Sequence, residues 1–327
     1  MELTSDITKM FRTKYETKWN TQIQQDTSLV KPYVTLHPNC SGKSVSLPFH
    51  GKTDIREYTG RKVKLEWDEL DFGERHLKKR KFYSSIPLSE DDKMDMDTLD
   101  LAASDVMSEQ RKGVQRTFDE VILGVGRKSG AFEIRTQADG VCGGIFAPNY
   151  VGENGDELET LDLSAGSSQV IPVDYAAKGT KTPAGMLIDK IAELRRRYRA
   201  MNVSRDMMNE IVVAISPTQE MDMILWEQAQ NKDYGFSSLT TGEVNKFLKC
   251  TFFVTNMLPV DADGNRLCAA WLKSRVKFGV WKDASFRIEP RPEYVDVREQ
   301  ITVKAAMGAT RLDNKTVFVL PCKEAAA

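Results

Sequence analysis

The chain has 327 residues, of which 41% are hydrophobic and 28% are charged, as is typical of folded globular proteins. Its 46 lysines and arginines balance 47 acidic residues, so its net charge gives no general attraction for nucleic acid. No apolar run approaches the ~18 residues that are needed to cross a bilayer. The charged N-terminal sequence is unlike a signal peptide, and we therefore expect no membrane partner.

The five cysteines are scattered and never form a C-x-x-C pair, which predicts the reduced, buried thiols of a cytosolic protein. His37 and Cys40 could supply half of a zinc site, but the sequence offers no second pair of ligands. We therefore expect neither a bound metal nor a cofactor.

The first 30 residues are polar, but Phe11, Tyr15 and Trp19 recur at every fourth position. On a helix this spacing would place the three rings on one face. Two interpretations remain open: a short helix docked on the body of the protein, and an extended arm that docks on a neighbouring molecule.

The segment 37–53 contains two Gly-Lys-Ser/Thr tripeptides, at Gly42 and Gly51, and such a tripeptide ends a phosphate-binding loop. Both copies lack the first glycine of that motif, which should stand five residues earlier. Apolar residues alternate with serine or proline from Val45 to Phe49, which predicts a strand where a phosphate-binding loop would begin a helix. An ATP-dependent enzyme that uses this segment is kept as an alternative hypothesis.

Residues 45–70 also predict strands, because VKLEWDEL (63–70) alternates in the same way. The charge of the chain then reverses over a short distance. The basic side is formed by Lys78, Lys79, Arg80 and Lys81. The segment 90–109 follows with eight acidic residues against one lysine, and its candidate contact residues are Asp91, Asp92, Asp95 and Asp97.

Apolar spacing predicts a helix that begins near Ser89, a suitable N-cap, and runs through much of the way to Gly124. Residues 139–181 are rich in Gly, Ser, Asp and Asn, and are too long for a simple connection. We interpret them as a mobile loop or an elaborated surface flap.

The second half of the chain is more regular. We predict a helix that starts at Thr182-Pro183 and ends at Asn202, and a buried strand at 209–216. A capping box at Ser216 opens a second helix, and Thr240 opens a short third one. The segments 251–259 and 267–272 are predicted to pair as antiparallel strands, and further strands are predicted at 276–281, 295–307 and 315–320.

The residues offer no catalytic arrangement. No serine lies in a G-x-S-x-G turn, and no cysteine has an activating histidine nearby. VILGVGRKSG (121–130) lacks the third glycine of a dinucleotide loop in register. The basic runs could touch phosphate, but they are more typical of solvated or protein-contacting faces. The residues alone therefore favour a binding or structural protein over an enzyme.

Six motifs follow one another in the second half: PAGMLIDKIAELRRRY, IVVAISPTQ, TGEVNKFLKCTFFVTNMLP, RLCAAW, FRIEPRPE and VKAAMGATRLDNKTVFVL. In this order they resemble the major capsid proteins of short-tailed and related tailed bacteriophages. GKSVSLPFHG near the N-terminus is similar to a strand that leads into the extended loop of such proteins. The resemblance covers 168–322 well and 5–125 loosely. Lys249 departs from the glycine that relatives often have, and 126–167 has no counterpart.

The resemblance implies an α+β chain with the Hong Kong 97-type capsid fold. It implies an N-terminal arm and first strand (1–50), an extended loop (51–88), a peripheral domain with a long helix at about 90–123 (89–181), an axial domain (182–296) and return strands of the peripheral domain (297–327).

The implied function is a major capsid protein whose hexamers and pentamers form an icosahedral head shell around double-stranded DNA, which it would contact non-specifically. Scaffolding, portal and decoration proteins would be its other partners, in a virion capsid that is assembled in the host cytoplasm. An encapsulin-like shell that holds an enzyme cargo is the alternative within the same fold.

The charge reversal suggests a contact between subunits. If the extended loop carries Lys78, Lys79, Arg80 and Lys81 outward, it could lie across the acidic residues Asp91 to Asp100 of a neighbour. The other interpretation is that both runs are simply solvated.

Overall fold

The computed structural model describes residues 24–38, 40–51, 53, 55–57, 59, 64, 67–70, 72–89, 103–128, 130–164, 166–176, 182, 184–225, 246–290 and 297–324. Helices and strands both occur among these residues, which confirms the α+β class. Chain contacts define two compact units. The first contains Met1–Thr27, Phe82–Arg116 and Asp283–Ala305, and the second contains Ser28–Lys81, Thr117–Lys282 and Ala306–Ala327.

The strands of the described residues are β1 (Thr35–His37), β2 (Ser44–His50), β3 (Phe72–Lys78), β4 (Arg80–Ser89), β5 (Val125–Lys128), β6 (Ala131–Ile134), β7 (Asn149–Val151), β8 (Glu157–Glu159), β9 (Ile211–Ile215), β10 (Lys246–Phe247), β11 (Cys250–Val254), β12 (Asn265–Leu272), β13 (Val276–Pro290), β14 (Val297–Arg311) and β15 (Phe318–Lys323). The α-helices in the same described ranges are α1 (Ala103–Leu123), α2 (Ile188–Ala200) and α3 (Pro217–Leu225).

The main sheet of the second unit has five strands in the order β10-β11-β9-β12-β15. All five residues of β9 are buried, as the β-branched run of the sequence predicts for a strand covered on both faces. The predicted antiparallel pair of β11 and β12 is wrong. The strand β9 lies between them, parallel to β11 and antiparallel to β12, so each strand pairs with β9 and not with the other.

The outer edge of β15 is occupied by other segments of the second unit. The Val319 amide donates to the carbonyl oxygen of Gln169 (2.8 Å), and the Val319 carbonyl oxygen accepts from the Ile171 amide (2.9 Å). The Lys323 amide donates to the carbonyl oxygen of Ala184 (3.2 Å). Segments distant in the sequence therefore complete the hydrogen bonding of this strand.

Helix α2 packs on β15 through the ring of Tyr198, whose centroid lies 4.8 Å from that of Phe318. The helix begins at Ile188, so the predicted start at Thr182-Pro183 is wrong. Residues just before the helix have other hydrogen-bond partners; the Met186 amide, for example, donates to Gln219 Oε1 (2.6 Å). The predicted end is confirmed, since Asn202 has a left-handed backbone (φ 55°).

A second sheet in this unit has the order β2-β3-β7-β8, with antiparallel pairs throughout. The predicted strand at 45–49 is confirmed as part of β2. The strand predicted for VKLEWDEL is wrong where it can be examined, because residues 64 and 67–70 belong to no strand. Lys249 stands where relatives often have glycine, and it has a left-handed φ of 62°, so the turn is kept at this position.

Helix α1 ends at Leu123, and Gly124 follows with a left-handed φ of 75°, which confirms the predicted end. In the first unit, Val106 of α1 and Ile301 of β14 are buried together. The Gln110 side-chain amide donates to the Ile301 carbonyl oxygen (3.1 Å) and fastens the helix to that strand. The predicted helix start near Ser89 and the third short helix at Thr240 involve residues 90–102 and 226–245, which lie outside the described residues.

The long strands β13 and β14 form a four-stranded sheet in the order β1-β13-β14-β4. Within the described ranges, no helix is both long and apolar enough to span a membrane.

Candidate assembly surface

Strands β2 and β3 form a hairpin that exposes apolar side chains. Ser44 lies opposite Lys78 at one end, and His50 lies opposite Phe72 at the other. The exposed side chains lie on the two strands or between them in the sequence: Phe49, Ile55, Trp67, Leu70 and Phe72. We call these five residues the hairpin surface. Exposed apolar groups of this number are typical of a protein-binding site, because they are costly to leave in water.

The ring of Phe49 is held in place on the hairpin. It lies over Gly73, where any Cβ atom would collide with the ring. The Arg75 guanidinium lies 5.8 Å from the ring centroid and is itself buried. Arg75 Nε donates to the Leu312 carbonyl oxygen (3.1 Å), and the guanidinium forms an ion pair with Glu159. The aromatic part of the surface therefore rests on fixed charged groups and is preorganised for contact.

An open cavity of about 440 Å³ adjoins these rings. Phe49, Phe72 and Val151 supply apolar walls, and the acidic residues at the lining are Glu74, Glu153 and Glu159. Aromatic walls with carboxylates beside them are suited to a basic or aromatic side chain. The cavity offers such a chain both contact area and charge.

The four cations of the charge reversal lie in different environments. The ammonium of Lys78 lies 3.8 Å from the ring centroid of Tyr150, and Lys79 is half-buried. Arg80 is buried, and burial, helped by nearby Arg135, lowers its pKa to about 10. Lys81 is exposed. The expectation that all four project outward is therefore wrong for Arg80, which packs among side chains of its own subunit.

The acidic partners predicted for these cations cannot be placed beside them. Asp91, Asp92, Asp95 and Asp97 lie outside the described residues. The contact between the two charged segments stays a prediction.

Arg311 of β14 is the centre of a buried network that the sequence reasoning missed. It is fully buried and donates to the carbonyl oxygens of Gly144 (3.1 Å), Ile145 (2.8 Å) and Ala147 (2.6 Å). It also donates to the Glu159 carbonyl oxygen (3.1 Å). Burial, with a smaller contribution from nearby Arg75, lowers the pKa of Arg311 to about 9.

This network corrects the interpretation of residues 139–181. Cys142 to Ala147 are buried, and β7 and β8 extend the sheet of the hairpin, so this part is neither a mobile loop nor a surface flap. Arg311 is the last residue of the Gly-Ala-Thr-Arg motif in the sequence. An arginine that follows a run of small and apolar residues was the available signal.

The nucleotide hypothesis has no structural support in this segment. Lys43 precedes the strand β2, and no helix N-terminus follows it to face a phosphate. The half zinc site is likewise isolated: Cys40 Sγ lies 3.8 Å from His37 Nδ1, and no cluster of metal-binding side chains occurs in the part of the chain that the structure describes.

Comparison with known proteins identifies this fold. The capsid chain of cyanophage P-SCSP1u has a TM-score of 0.65 at 14% identity, over 98% of this chain and 95% of that chain. The capsid of a native GTA particle has a TM-score of 0.65 at 12% identity, over 99% and 100%. The mature capsid of bacteriophage PhiM1 has a TM-score of 0.64 at 10% identity, over 97% and 93%. No curated protein is significantly similar in sequence.

The fold is therefore that of the Hong Kong 97-type shell proteins, as predicted. The phage capsid protein family matches residues 7–324, and the chain belongs to this family. It is a major capsid protein of a virion. No observation favours the ATP-dependent enzyme or the shell with an enzyme cargo.

Proposed function

We propose that this protein assembles as hexamers and pentamers into an icosahedral head shell around double-stranded DNA, as a structural protein and not as an enzyme. The match of the phage capsid family along residues 7–324 carries the proposal. The balance of 46 basic against 47 acidic residues supports it, because a wall without excess positive charge does not hold packaged DNA tightly.

Scaffolding, portal and decoration proteins are the other proposed partners, and the host cytoplasm is the proposed place of assembly. The cysteines support this compartment, since all five are free thiols and cytosolic thiols stay reduced.

The proposed division of the subunit is an arm and first strand (1–50), an extended loop (51–88), a peripheral domain (89–181 with 297–327) and an axial domain (182–296). Four strands of the main sheet lie within 182–296, which supports a compact axial domain. A map of the assembled shell tests the division. The axial segments of neighbouring subunits should meet at the centre of each hexamer, and their separation there would contradict the proposal.

Electron microscopy of the purified protein, with and without a co-expressed scaffolding protein, tests the function. We expect closed icosahedral particles, and particles from infected cells should protect double-stranded DNA from nuclease. Soluble subunits under every condition would contradict the shell. Closed particles that hold a host enzyme and no DNA would support the encapsulin-like alternative.

We further propose that the basic segment Lys78–Lys81 contacts the acidic segment of a neighbouring subunit. Lys81 is its exposed member, and Lys79 is half-buried, so these two can reach a neighbour without unfolding their own subunit. One exposed ion pair contributes about 0–1 kcal/mol, but a shell repeats the contact at every interface.

Charge reversal tests this contact. Lys79→Glu with Lys81→Glu should leave the subunit folded and lower the yield of shells, with partial recovery when Asp91, Asp92, Asp95 and Asp97 are changed to lysine. The matched control is Lys246→Glu, which reverses an exposed lysine of β10 and should leave the yield unchanged. Full shell yield from the double variant would mean that the cations are only solvated.

A further inference from the structure

An open cavity of about 520 Å³ lies at the C-terminal end of α2, in the second unit. Its lining includes the last residues of the helix, part of the turn Asn314–Thr316 and the first residue of β15. We call it the α2 cavity, and its charged and apolar lining residues are Arg196, Arg197, Ala200, Met201, Lys315 and Phe318. None of the described residues that line it carries a carboxylate, so the charge of the lining is positive.

The apolar part of the lining is open to solvent. Phe318 packs against the ring of Tyr198, with 4.8 Å between the two centroids, and so forms a fixed floor. Met201 is 38% exposed, and Ala200 is exposed as well. A thioether adapts its shape to different apolar partners, and an apolar side chain that covers these groups is stabilised by leaving water. The cavity is therefore suited to an apolar side chain.

Arg197 has a structural role in its own subunit. Its Nε donates to Glu193 (3.0 Å), and its Nη1 donates to the carbonyl oxygens of Ser168 (2.7 Å) and Val170 (2.9 Å). A cation in the last turn also offsets the partial negative charge at the C-terminal end of the helix. Arg197 therefore holds the lining in place, which leaves the other two cations to meet a ligand.

Arg196 is a cation that extends into solvent. Its Nε (2.6 Å) and Nη2 (2.7 Å) donate to the Glu193 carboxylate, yet 67% of its side chain is exposed. Because Glu193 also accepts from Arg197, one negative charge is shared by two guanidiniums. The two arginines thus keep an excess of positive charge, and the bidentate bond fixes the direction of the Arg196 guanidinium.

Lys315 is exposed on a turn that is fastened to the helix. The Tyr198 hydroxyl donates to the carbonyl oxygen of Thr316 (2.8 Å), which holds the turn beside α2. The Asp313 carboxylate precedes this turn, where it accepts from the Lys315 amide (2.9 Å) and so stabilises the backbone. Exposed cations on two different elements therefore stand beside one apolar recess.

The combination of charge and recess distinguishes two kinds of anionic ligand. Duplex DNA presents phosphates on a wide surface, and it has no apolar side chain that could enter the cavity. A flexible acidic peptide offers carboxylates to the cations and an apolar side chain to the floor, as the buried anchor of a protein interface does. The peptide satisfies both parts of the lining.

We propose that the α2 cavity binds an acidic segment of a partner protein. An apolar side chain of the segment lies over Phe318 and Met201, and its carboxylates pair with Arg196 and Lys315. The proposal rests on the proposed function, since a shell subunit needs partner proteins, and it states the chemistry by which one of them is recognised.

Fluorescence anisotropy of labelled peptides with unassembled subunits tests the proposal. The probe is a short peptide of glutamate residues with one central leucine, and the matched peptide has alanine in place of the leucine. We expect the leucine peptide to bind at least about fivefold more tightly, because its side chain is buried in the cavity. Salt should weaken the binding of both peptides. Equal affinity of the two peptides, or no binding of either, would overturn the proposal.

Substitution of the two exposed cations tests the site itself. Arg196→Gln with Lys315→Gln should weaken binding of the leucine peptide at least about tenfold, because the peptide loses both cationic partners. The matched control is Lys323→Gln, at an exposed lysine of β15 outside the lining, which should bind as the wild type does. If the double variant does not fold, Lys315→Gln decides alone, with a loss of at least about threefold. Wild-type affinity in the variant that decides would overturn the proposal.

Two competitors test the other occupants. Duplex DNA that displaces the leucine peptide at an equal concentration of charge would reveal a general phosphate-binding surface. A peptide with the sequence of residues 90–102 that binds more than about tenfold more tightly than the leucine peptide would reveal a contact with a second copy of this chain. Either result would overturn the partner protein as occupant. Because every measurement uses unassembled subunits, a failure to form shells would contradict the proposed function and leave the peptide result unaffected.

Discussion

The guanidinium of Arg311 donates a hydrogen bond of 2.6 Å to the carbonyl oxygen of Ala147, 164 residues away in the sequence. A charged donor thus takes the place of water for a backbone carbonyl that is buried in the core. Because the neighbouring carbonyls of Gly144 and Ile145 share the same guanidinium, one side chain determines the path of the whole segment.

Replacement of Arg311 should therefore destabilise the subunit strongly. We expect Arg311→Met to lower the free energy of unfolding by about 3 kcal/mol or more, because several buried carbonyl oxygens lose their donor. Arg311→Lys should have a free energy of unfolding between those of the wild type and Arg311→Met, because its ammonium is still a charged donor but lacks the planar fork of the guanidinium. Chemical denaturation of unassembled subunits measures the change.

The control for Arg311 is Arg287→Met, because Arg287 is exposed and forms a surface ion pair with Glu289. Its effect should stay within about 1 kcal/mol. Equal effects of the two methionine substitutions would show that the carbonyl network does not stabilise the fold.

Two glycines, Gly143 in the buried segment and Gly130 in the exposed turn between β5 and β6, allow a paired test of space against backbone strain. Gly143 and Gly130 both have left-handed φ values, of 128° and 90°. A Cβ atom at Gly143 would collide with the Ala309 carbonyl oxygen, whereas nothing lies within 4 Å of one at Gly130. We expect Gly130→Ala to cost about 1 kcal/mol, from strain alone, and Gly143→Ala to cost at least twice as much. Similar unfolding midpoints for the two variants would contradict this packing.

Glu193 should make stability depend on acidic pH. Its carboxylate accepts hydrogen bonds from Arg196, Arg197 and Tyr175. The bond from Arg196 has the largest effect, and the three bonds together outweigh burial and lower the pKa of Glu193 to about 2. A lowered pKa contributes stability that is fully present above the unfolded value of about 4.3 and disappears as the pH falls towards 2.

We therefore expect Glu193→Gln to lower the free energy of unfolding by about 2 kcal/mol at neutral pH, with the difference from wild type shrinking below about pH 4. Urea unfolding at a series of pH values measures it. Glu289→Gln, at an exposed ion pair, is the control and should show little difference at any pH. A Glu193→Gln deficit that stayed constant down to pH 2 would rule out the proposed ionisation.

The hairpin surface should matter for assembly and not for folding. Phe72 is 74% exposed, so Phe72→Ser removes little buried area and should change the free energy of unfolding by less than about 0.5 kcal/mol. If the ring docks on a neighbour, shell yield in an electron-microscopic assay should fall at least tenfold. Val260→Ser, at an exposed apolar residue outside the hairpin surface, is the control. Normal yield from Phe72→Ser would exclude this residue from the interface.

Local patterns in the sequence predicted several elements correctly. The β-branched run around Val213 became the fully buried strand β9, and the glycine at 124 ended the long helix, since both depend on neighbours in the sequence. The start of α2 was predicted too early because the Met186 amide donates its hydrogen bond to Gln219, a residue 33 positions away. No local signal records such a contact.

Local sequence patterns did not predict which distant strands pair or which charged side chain is buried. Segments β11 and β12 look like a hairpin in the sequence, but the earlier strand β9 inserts between them. Arg80 reads as one of four similar cations, yet it alone of the four is buried, because the Cys142 segment passes close to it. Such positions are set by tertiary packing, which composition does not encode.

The occupied outer edge of β15 protects the subunits from strand-to-strand association at high concentration. Along this edge, Val319 is bonded to Gln169 and Ile171, Lys323 donates to Ala184, and Pro321 has no amide hydrogen while its carbonyl accepts from Lys190. The strand therefore offers no continuous ladder to which a strand of another molecule could be added. This edge resists amyloid-like polymerisation, and subunits at high concentration are left to associate through side-chain surfaces, whose geometry can close a particle.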